Sequence, residues 1–429
     1  MTLWTRTAHF ILPLAMAIGG CTMNTEVGAA APPDSAASTG AADEALYMQR
    51  YEAQQKAAIA GGGLPAYDPL EPVRGASPYQ PLPVGPARID ASPLQKAEQF
   101  ARERNSSAFL VWHDGALVQE SYFGEADRDY LINAKSLAKP LTAIIVGRAI
   151  QQGHIKSLDQ PVADFITEWK SDPGKSKILI RHLLDMRSGL LPQGFGGGPE
   201  NVLNRAYLHP RHDEVIINEY PLVNEPGSRY EYANANSELV APVIERATGQ
   251  RYHDYVSDAL LIPIGAQGGT VWVNRPGGVA HAGCCIQLPG QTWVRLGILL
   301  LNDGVWEGER LLPDGYVNAM RTPTKENPHA GLGVWVAGDY VESRGPLHPS
   351  MEAGKTLHSE PYADRDLFLF DGNGNQVVYI VPSQRLIIVR TGDRPPKDKP
   401  WDNSYIPNLV INAIKRGPDE PQPVPQEGK

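Results

Sequence analysis

The sequence predicts an α+β fold in which segments near both ends of the chain build one antiparallel sheet. Near the start of the folded region, Asp114-Gly115 separates two apolar runs, which indicates a β-hairpin. Near the end, Pro382-Ser383-Gln384 joins two further apolar runs and predicts a second hairpin. Residues between about 140 and 360 carry mainly helical spacing. We therefore expect helices to flank the sheet, with a mostly helical subdomain in the middle of the chain.

The first twenty residues are expected to be a signal peptide. Arg6 precedes an apolar stretch, 10–18, that is too short to span a bilayer. Ile18-Gly19-Gly20-Cys21 resembles a bacterial lipoprotein signal, which implies a lipid on Cys21. A plain secretion signal with a chance cysteine is the alternative. Both interpretations predict export to the cell envelope, either in the periplasm or anchored to a membrane.

The rest of the chain divides by composition. Residues 21–92 are expected to be a flexible linker and N-terminal extension, disordered over 24–43 and with a polar helix over 44–59. Residues 60–92 are rich in proline and glycine and are expected to wrap the domain surface. The main domain is predicted over 93–416, and the Pro-rich acidic residues 417–429 are expected to be a disordered tail.

Charge and cysteine content exclude some functions. The 429 residues carry a formal net charge of −9, which argues against a nucleic-acid partner because such a protein needs a basic face. Cys284 and Cys285 are adjacent, and an exported chain could join them in a vicinal disulfide. They could equally be packed thiols. A metal site with His281 is conceivable, but adjacent cysteines rarely give tetrahedral geometry, so the pair is expected to be structural.

Ser136 and Lys139 are the leading catalytic candidates. Apolar residues recur at helical spacing after Ser136, up to a stop at Gly153, which predicts an amphipathic helix. Residues three apart share one face of a helix, so the Ser136 hydroxyl can meet the Lys139 amine. Backbone N–H groups at the helix start could hold an oxyanion. The alternative makes Ser136 a helix cap and Lys139 a solvated residue of the first turn.

Tyr232 and Asn234 form a second candidate element. They follow the Pro226-Gly227 turn and precede an apolar helical pattern. The same spacing occurs at Tyr316 and Asn318, where the context is typical of an ordinary helix start. The sequence therefore favours Tyr232 over Tyr316.

Taken in order, Ser136-x-x-Lys139 and Tyr232-Ala233-Asn234 resemble the serine β-lactamase and penicillin-binding-protein superfamily. The likeness is to its class C branch, which includes esterases and aminohexanoate-oligomer hydrolases, and it runs from about residue 100 to 415. The resemblance implies a β-lactamase/transpeptidase-like fold and a serine hydrolase that forms an acyl-enzyme on Ser136. It implies Lys139 and Tyr232 as general base and acid, and neither a metal nor an organic cofactor.

The third family element departs from the usual pattern. Where the family often has Lys-Thr-Gly, this chain has Gly372-Asn373-Gly374-Asn375-Gln376. In penicillin-binding relatives the cation holds a substrate carboxylate, whereas Asn373 can form hydrogen bonds but brings no charge. By analogy, the backbone N–H groups of Ser136 and Gln376 would form the oxyanion hole, and Asn234 would orient Lys139 or the substrate.

Several alternatives stay open. A β-lactamase or D-alanyl peptidase acting on carboxylate-bearing substrates is one, and an inactive envelope protein that keeps the fold for binding is another. None of the eleven histidines lies in a Ser-His-Asp context, and both His182 and His281 are expected to be structural. The expected partners are a small ester or amide substrate and, through the lipid on Cys21 alone, a membrane.

Overall fold

The computed structural model describes residues 33–59, 67–194, 196–349 and 354–428. The chain divides into two compact units, Met1–Ala42 and Asp43–Lys429. The predicted signal peptide and Cys21 lie outside the described residues. Within the described ranges, no helix combines the length and the apolar character needed to cross a membrane.

A six-stranded antiparallel sheet forms the centre of the second unit. Its strands are β2 (Ser106–His113), β3 (Ala116–Tyr122), β9 (Trp335–Val336), β12 (Phe368–Gly372), β13 (Gln376–Val381) and β14 (Leu386–Gly392). Their spatial order is β3-β2-β14-β13-β12-β9, so strands from early and late in the chain lie side by side. Both predicted hairpins are confirmed, and β2 pairs with β14 across 273 to 286 residues of sequence, from His113 with Leu386 to Ser106 with Gly392. The antiparallel sheet from both chain ends is therefore as expected.

The sheet is covered by helices on both faces. Alternate residues of β2 point to opposite sides, so Leu110 joins one core and Phe109 joins the other. The helices are α1 (Pro33–Ile59), α2 (Ala91–Arg102), α3 (Lys139–Gln151), α4 (Ile180–Leu184), α5 (Val202–Leu208), α6 (His212–Asn218), α7 (Asn234–Glu238), α8 (Val240–Thr248), α9 (Tyr252–Val256), α10 (Gly290–Leu301), α11 (Tyr316–Arg321) and α12 (Tyr405–Asn412). Helix α10 packs on the Leu110 face of the sheet, and α2 and α12 pack on the Phe109 face.

The chain also contains short strands that the sequence did not predict. A second sheet has the order β1-β5-β6-β4, from β1 (Leu70–Val73), β4 (Ile132–Asn133), β5 (Gly269–Trp272) and β6 (Ile286–Leu288). Two-stranded ribbons join β7 (Val305–Trp306) to β8 (Glu309–Arg310) and β10 (Ser343–Arg344) to β11 (Thr356–Leu357). Strands of two to four residues are too short to show alternation, so periodicity could not reveal them.

Both ends of the described chain are more ordered than expected. Helix α1 begins at Pro33 rather than at 44, because alanine-rich sequence favours a helix over a disordered tether. Residues 70–73 form a strand instead of only wrapping the surface, and the unit begins at Asp43 instead of 93. The prediction of a disordered tail is wrong around Gln426, whose buried side chain donates to the carbonyl of Ala337 at 2.9 Å.

Candidate active site

Ser136 lies at a sharp junction between a strand and a helix. It belongs to a 3₁₀ turn, Lys135–Ala138, that leads directly into α3. Lys135 adopts a left-handed conformation with φ of 50°, and its backbone N–H donates to Asn133 Oδ1 at 3.0 Å. Helix α3 is buried on nearly all sides over Lys139–Ala149, so the prediction of an amphipathic helix is wrong there. The turn leaves Ser136 half-buried at the start of a fixed helix.

Lys139 is buried and fully engaged. Its side chain is 5% exposed, which excludes the alternative of a solvated first-turn residue. The ammonium donates to Ser136 Oγ at 3.1 Å, to Asn234 Oδ1 at 3.0 Å and to the Gly283 carbonyl at 2.9 Å. These acceptors match the three N–H donors that a lysine carries. They aim Lys139 Nζ at the serine hydroxyl.

Tyr232 completes the constellation from the other side. Its hydroxyl lies 2.8 Å from Ser136 Oγ, and its ring centroid is 5.0 Å from Lys139 Nζ. Asn234 is the first residue of α7, so the short segment from Tyr232 to Asn234 delivers both side chains. Tyr316, by contrast, is buried and donates its hydroxyl to the Ala143 carbonyl at 2.7 Å, which is a packing role.

The end of β12 borders the serine turn. A Cβ added at Gly372 would lie 2.7 Å from the backbone nitrogen of Leu137, so only glycine fits this approach. Asn373 follows and is exposed. Its Oδ1 accepts a long hydrogen bond, 3.4 Å, from Arg394 Nη2. Position 373 itself carries no cation, but the guanidinium of Arg394, just after the end of β14, lies beside it.

The side chain of Gln376 supports the turn that carries Ser136 through hydrogen bonds to the residues just before it. Its side chain is 1% exposed and donates from Nε2 to the carbonyls of Asn133 at 2.8 Å and Ala134 at 3.3 Å. Those residues directly precede the turn that carries Ser136. The side chain therefore has a supporting role that the sequence did not suggest. The oxyanion role of the Gln376 backbone N–H stays a prediction.

Arg390 is a buried support that the sequence analysis missed. It is 0% exposed and donates from Nη1 to the carbonyls of Gly374 at 2.6 Å and Asn375 at 3.0 Å. Burial lowers the pKa of this guanidinium to about 10. The Gly372–Gln376 turn is thus tied to β14 by one side chain. An arginine inside the apolar run of β14 was the available signal.

Gly283 was also missed, although its carbonyl contacts Lys139. A Cβ at this position would lie 2.8 Å from Glu238 Oε1 and 2.9 Å from Ser237 Cβ. The turn is therefore pressed against α7, the helix that begins with Asn234. Nothing in the local sequence marks a backbone carbonyl as a partner of a lysine 144 residues away.

A small buried cluster and one backbone hydrogen bond hold Tyr232 from the side of the neighbouring chain segments. Tyr230, Met186 and Ala330 form a small buried cluster with Tyr232 and Trp335 packed against it. The Gln193 backbone N–H donates to the Tyr232 carbonyl at 2.7 Å, which ties the chain segment around Gln193 to Tyr232. Substrate contacts from this segment would thus be coupled to the position of Tyr232.

The two histidines singled out by the sequence are buried. His182 Nδ1 accepts from the Leu179 N–H at 3.3 Å, and burial lowers the pKa of His182 to about 4. His281 is stacked between Trp272, with ring centroids 3.7 Å apart, and His212, with centroids 3.9 Å apart. Both are structural in these positions, as expected.

Among the described residues, His212, His281 and Glu238 are the group whose ligand atoms lie close enough together to hold a metal ion. The two imidazole planes are inclined by only 16° in their stack. Because ring-nitrogen lone pairs lie in the ring plane, stacked rings do not direct them at a common point. Cys284 and Cys285 are joined in a disulfide, so of the alternatives left open by the sequence the vicinal bond is the one observed.

Comparisons with known proteins place these residues in a family. The β-lactamase family model matches residues 94–406. The 6-aminohexanoate-dimer hydrolase of Paenarthrobacter ureafaciens is 26% identical over 267 residues, 57% of this chain and 64% of that protein, so the chain spans just under two thirds of this relative.

Solved structures show the same fold at low identity. A candidate 6-aminohexanoate-dimer hydrolase from Bacillus anthracis superposes with a TM-score of 0.62 at 20% identity, covering 81% of this chain and 90% of that one. A β-lactamase from Mycobacterium bovis gives 0.51 at 17% identity, with 76% and 100% covered. The chain belongs to the β-lactamase family and has its α+β fold.

Proposed function

We propose that this protein is a serine hydrolase that cleaves an ester or an amide through an acyl-enzyme on Ser136. The observation that carries the proposal is the hydrogen-bonded set in which Ser136 Oγ lies 2.8 Å from the Tyr232 hydroxyl and 3.1 Å from Lys139 Nζ. A nucleophile with two proton-transfer groups in hydrogen-bond reach is the arrangement that covalent acyl transfer requires.

In the first step Ser136 Oγ attacks the substrate carbonyl while its proton passes to a base. Lys139 acts as that base in its neutral form. A neutral amine keeps two N–H groups, which donate to Asn234 and Gly283, and directs its lone pair at Ser136. The carbonyl oxygen becomes an oxyanion, held by backbone N–H groups at Ser136 and at the strand edge near Asn373–Gln376.

In the second step the leaving group departs with a proton. Tyr232 is placed to relay this proton, because its hydroxyl is within hydrogen-bond distance of Ser136 Oγ and its ring faces Lys139 Nζ. The bond between the acyl carbon and the leaving oxygen or nitrogen breaks, and an acyl-enzyme remains. Water then attacks the acyl carbon, gives its proton to the same base, and releases the acid with Ser136 restored.

The substrate class follows from the departure at Asn373 and from the relatives. A neutral side chain at this position suits uncharged esters, and the relative named 6-aminohexanoate-dimer hydrolase adds aliphatic amides as a second substrate class. One observation favours a second candidate. Arg394 lies 3.4 Å from Asn373 and could pair with a substrate carboxylate, which would suit a β-lactamase or D-alanyl peptidase.

The test compares turnover of three substrates by purified protein: a p-nitrophenyl ester, the linear dimer of 6-aminohexanoate, and a chromogenic cephalosporin. We expect hydrolysis of the ester and the linear amide that Ser136→Ala abolishes, while Ser228→Ala, in an exposed turn, serves as the matched control. Turnover by Ser136→Ala at the wild-type rate would refute the proposal. Preference for the cephalosporin, lost in Arg394→Gln, would favour the second candidate.

We further propose that the protein is exported and anchored by a lipid on Cys21. The support is the apolar stretch 10–18 followed by Gly19-Gly20-Cys21. Fractionation of bacteria expressing the full chain tests this, with the wild type expected in the membrane fraction and Cys21→Ala expected to be released. Equal partition of both chains would contradict the anchor.

A further inference from the structure

The turn that contains the vicinal disulfide is tightly closed. The Cys285 backbone N–H donates to the His281 carbonyl at 3.2 Å. Both ends of the turn are bonded to Trp272, since the His281 N–H donates to the Trp272 carbonyl at 2.9 Å and the Trp272 N–H donates to the Cys285 carbonyl at 3.0 Å. The base of the turn is therefore fixed to β5, whereas the tip, Gly283 and Cys284, takes part in none of these three hydrogen bonds.

The tip of this turn holds the proposed general base. Gly283 is followed directly by the bonded pair Cys284–Cys285, and its carbonyl accepts from Lys139 Nζ at 2.9 Å. Gly283 has no side chain that could anchor it. Its carbonyl belongs to the peptide bond that directly precedes Cys284, the first residue of the small ring that the disulfide closes.

The two cysteines of the disulfide differ in burial. Cys285 is fully buried and packs in a cluster with Tyr47, Leu208 and Trp272, whereas Cys284 is only partly buried. Thiol–disulfide exchange needs access to one sulfur of the pair. We therefore expect a reductant to attack at Cys284, the less buried residue.

We propose that the Cys284–Cys285 disulfide is a positioning element for Lys139, and that its reduction slows acylation of Ser136. The inference rests on the proposed function. The reductant is a dithiol, which forms a mixed disulfide at Cys284 and then closes to its own cyclic disulfide. The S–S bond is reduced by two electrons, two cysteine thiols form, and the dithiol is oxidised by the same two electrons.

Reduction acts on the conformational freedom of the turn tip. Opening the ring restores backbone and side-chain rotations at both cysteines, so conformations in which the Gly283 carbonyl points away from Lys139 become populated. Lys139 then keeps Asn234 and Ser136 as partners but loses its third fixed acceptor. Weakening one hydrogen bond to a charged group corresponds to about a tenfold slower acylation.

The pH dependence of acylation gives a readout that a purely structural role would not move. When the Gly283 carbonyl withdraws, the hydrogen bonding of the proposed base itself changes, so the rate profile is expected to change shape while its plateau falls.

The experiment measures the rate at which a fluorophosphonate labels Ser136 in full-length protein, before and after treatment with dithiothreitol. Mass spectrometry of denatured, alkylated samples counts free thiols in each state. The Cys284→Ser/Cys285→Ser double variant is the matched control, since it cannot form the bond. We expect reduction to slow labelling about tenfold, reoxidation to restore it, and the double variant to label slowly with or without dithiothreitol.

Four results would overturn the inference. The first is two free thiols in protein purified under oxidising conditions. The second is labelling at an unchanged rate once reduction is verified, and the third is a lower melting temperature on reduction with an unchanged pH profile. The fourth is absence of labelling in the oxidised form, which would overturn the proposed function as well. The second and third results would overturn only the role of the disulfide, so the two failures can be told apart.

Discussion

Replacing Tyr232 with phenylalanine isolates the proton-relay role assigned to its hydroxyl. The substitution removes one oxygen, which lies 2.8 Å from Ser136 Oγ, and keeps the ring that packs beside Met186 and faces Lys139 Nζ. Loss of a positioned general acid–base group lowers kcat by about 100- to 10,000-fold. That corresponds to about 3–5 kcal/mol of activation free energy.

The same substitution should leave folding almost unchanged. The lost hydrogen bond is partly exposed and contributes about 0.5–1.5 kcal/mol to the free energy of unfolding. Tyr230→Phe is the matched control, because Tyr230 is two residues away and donates its hydroxyl to the Pro346 carbonyl at 2.9 Å, outside the reacting groups. It should cost a similar amount of stability and leave kcat within about threefold, since no reacting group is removed.

The assay pairs steady-state hydrolysis of a p-nitrophenyl ester with urea unfolding of each variant. The reasoning predicts that both variants lose a similar, small amount of stability and that only Tyr232→Phe loses activity. A Tyr232→Phe enzyme that keeps more than about a tenth of the wild-type kcat would show that the hydroxyl moves no proton in the slow step. Equal losses of kcat in both variants would show that the effect is packing.

Three further predictions concern the supports of the site. Gly372→Ala would place a Cβ 2.7 Å from Leu137 N, so we expect fluorophosphonate labelling to slow by at least about tenfold, and labelling at the wild-type rate would contradict this. Burial lowers the pKa of His182 from 6.5 to about 4, so the unfolded chain binds more protons between those values. Stability is therefore expected to fall as the pH drops from 6.5 to 4, by up to about 3 kcal/mol in total, and His182→Asn should flatten that slope in urea unfolding; an equal slope in both proteins would refute it. Gln426→Ala removes the buried bonds to Ala337 and Tyr362 and should lower the unfolding free energy by about 1–3 kcal/mol, whereas an unchanged value would mean that the tail is not docked in solution.

The sequence was sufficient where the signal is local. Asp114-Gly115 dictates its hairpin because positive φ angles, 45° and 103°, are needed at both positions. The pair Ser136 and Lys139 could be found because helical spacing itself brings the side chains together. The Pro-Gly turn that precedes Tyr232 was enough to choose it over Tyr316. Only the fold could show that its hydroxyl contacts Ser136 Oγ.

The sequence was insufficient where the partner is distant or is backbone. Gly283 contributes a carbonyl, which every residue has, and Arg390 contributes contacts to a turn fifteen and sixteen residues before it. Gln426 lies in a tail whose proline-rich composition indicates disorder, yet its amide satisfies backbone groups nearly ninety residues away. Such contacts depend on which surfaces the fold brings together, and composition does not encode that.

The central claim is that Ser136 is the nucleophile, and intact-protein mass spectrometry after incubation with a fluorophosphonate tests it most directly. Peptide mapping should place a single adduct on Ser136, and Ser136→Ala should gain no mass while showing the same melting temperature as the wild type. An adduct on another serine, or none on folded wild-type protein, would contradict the account.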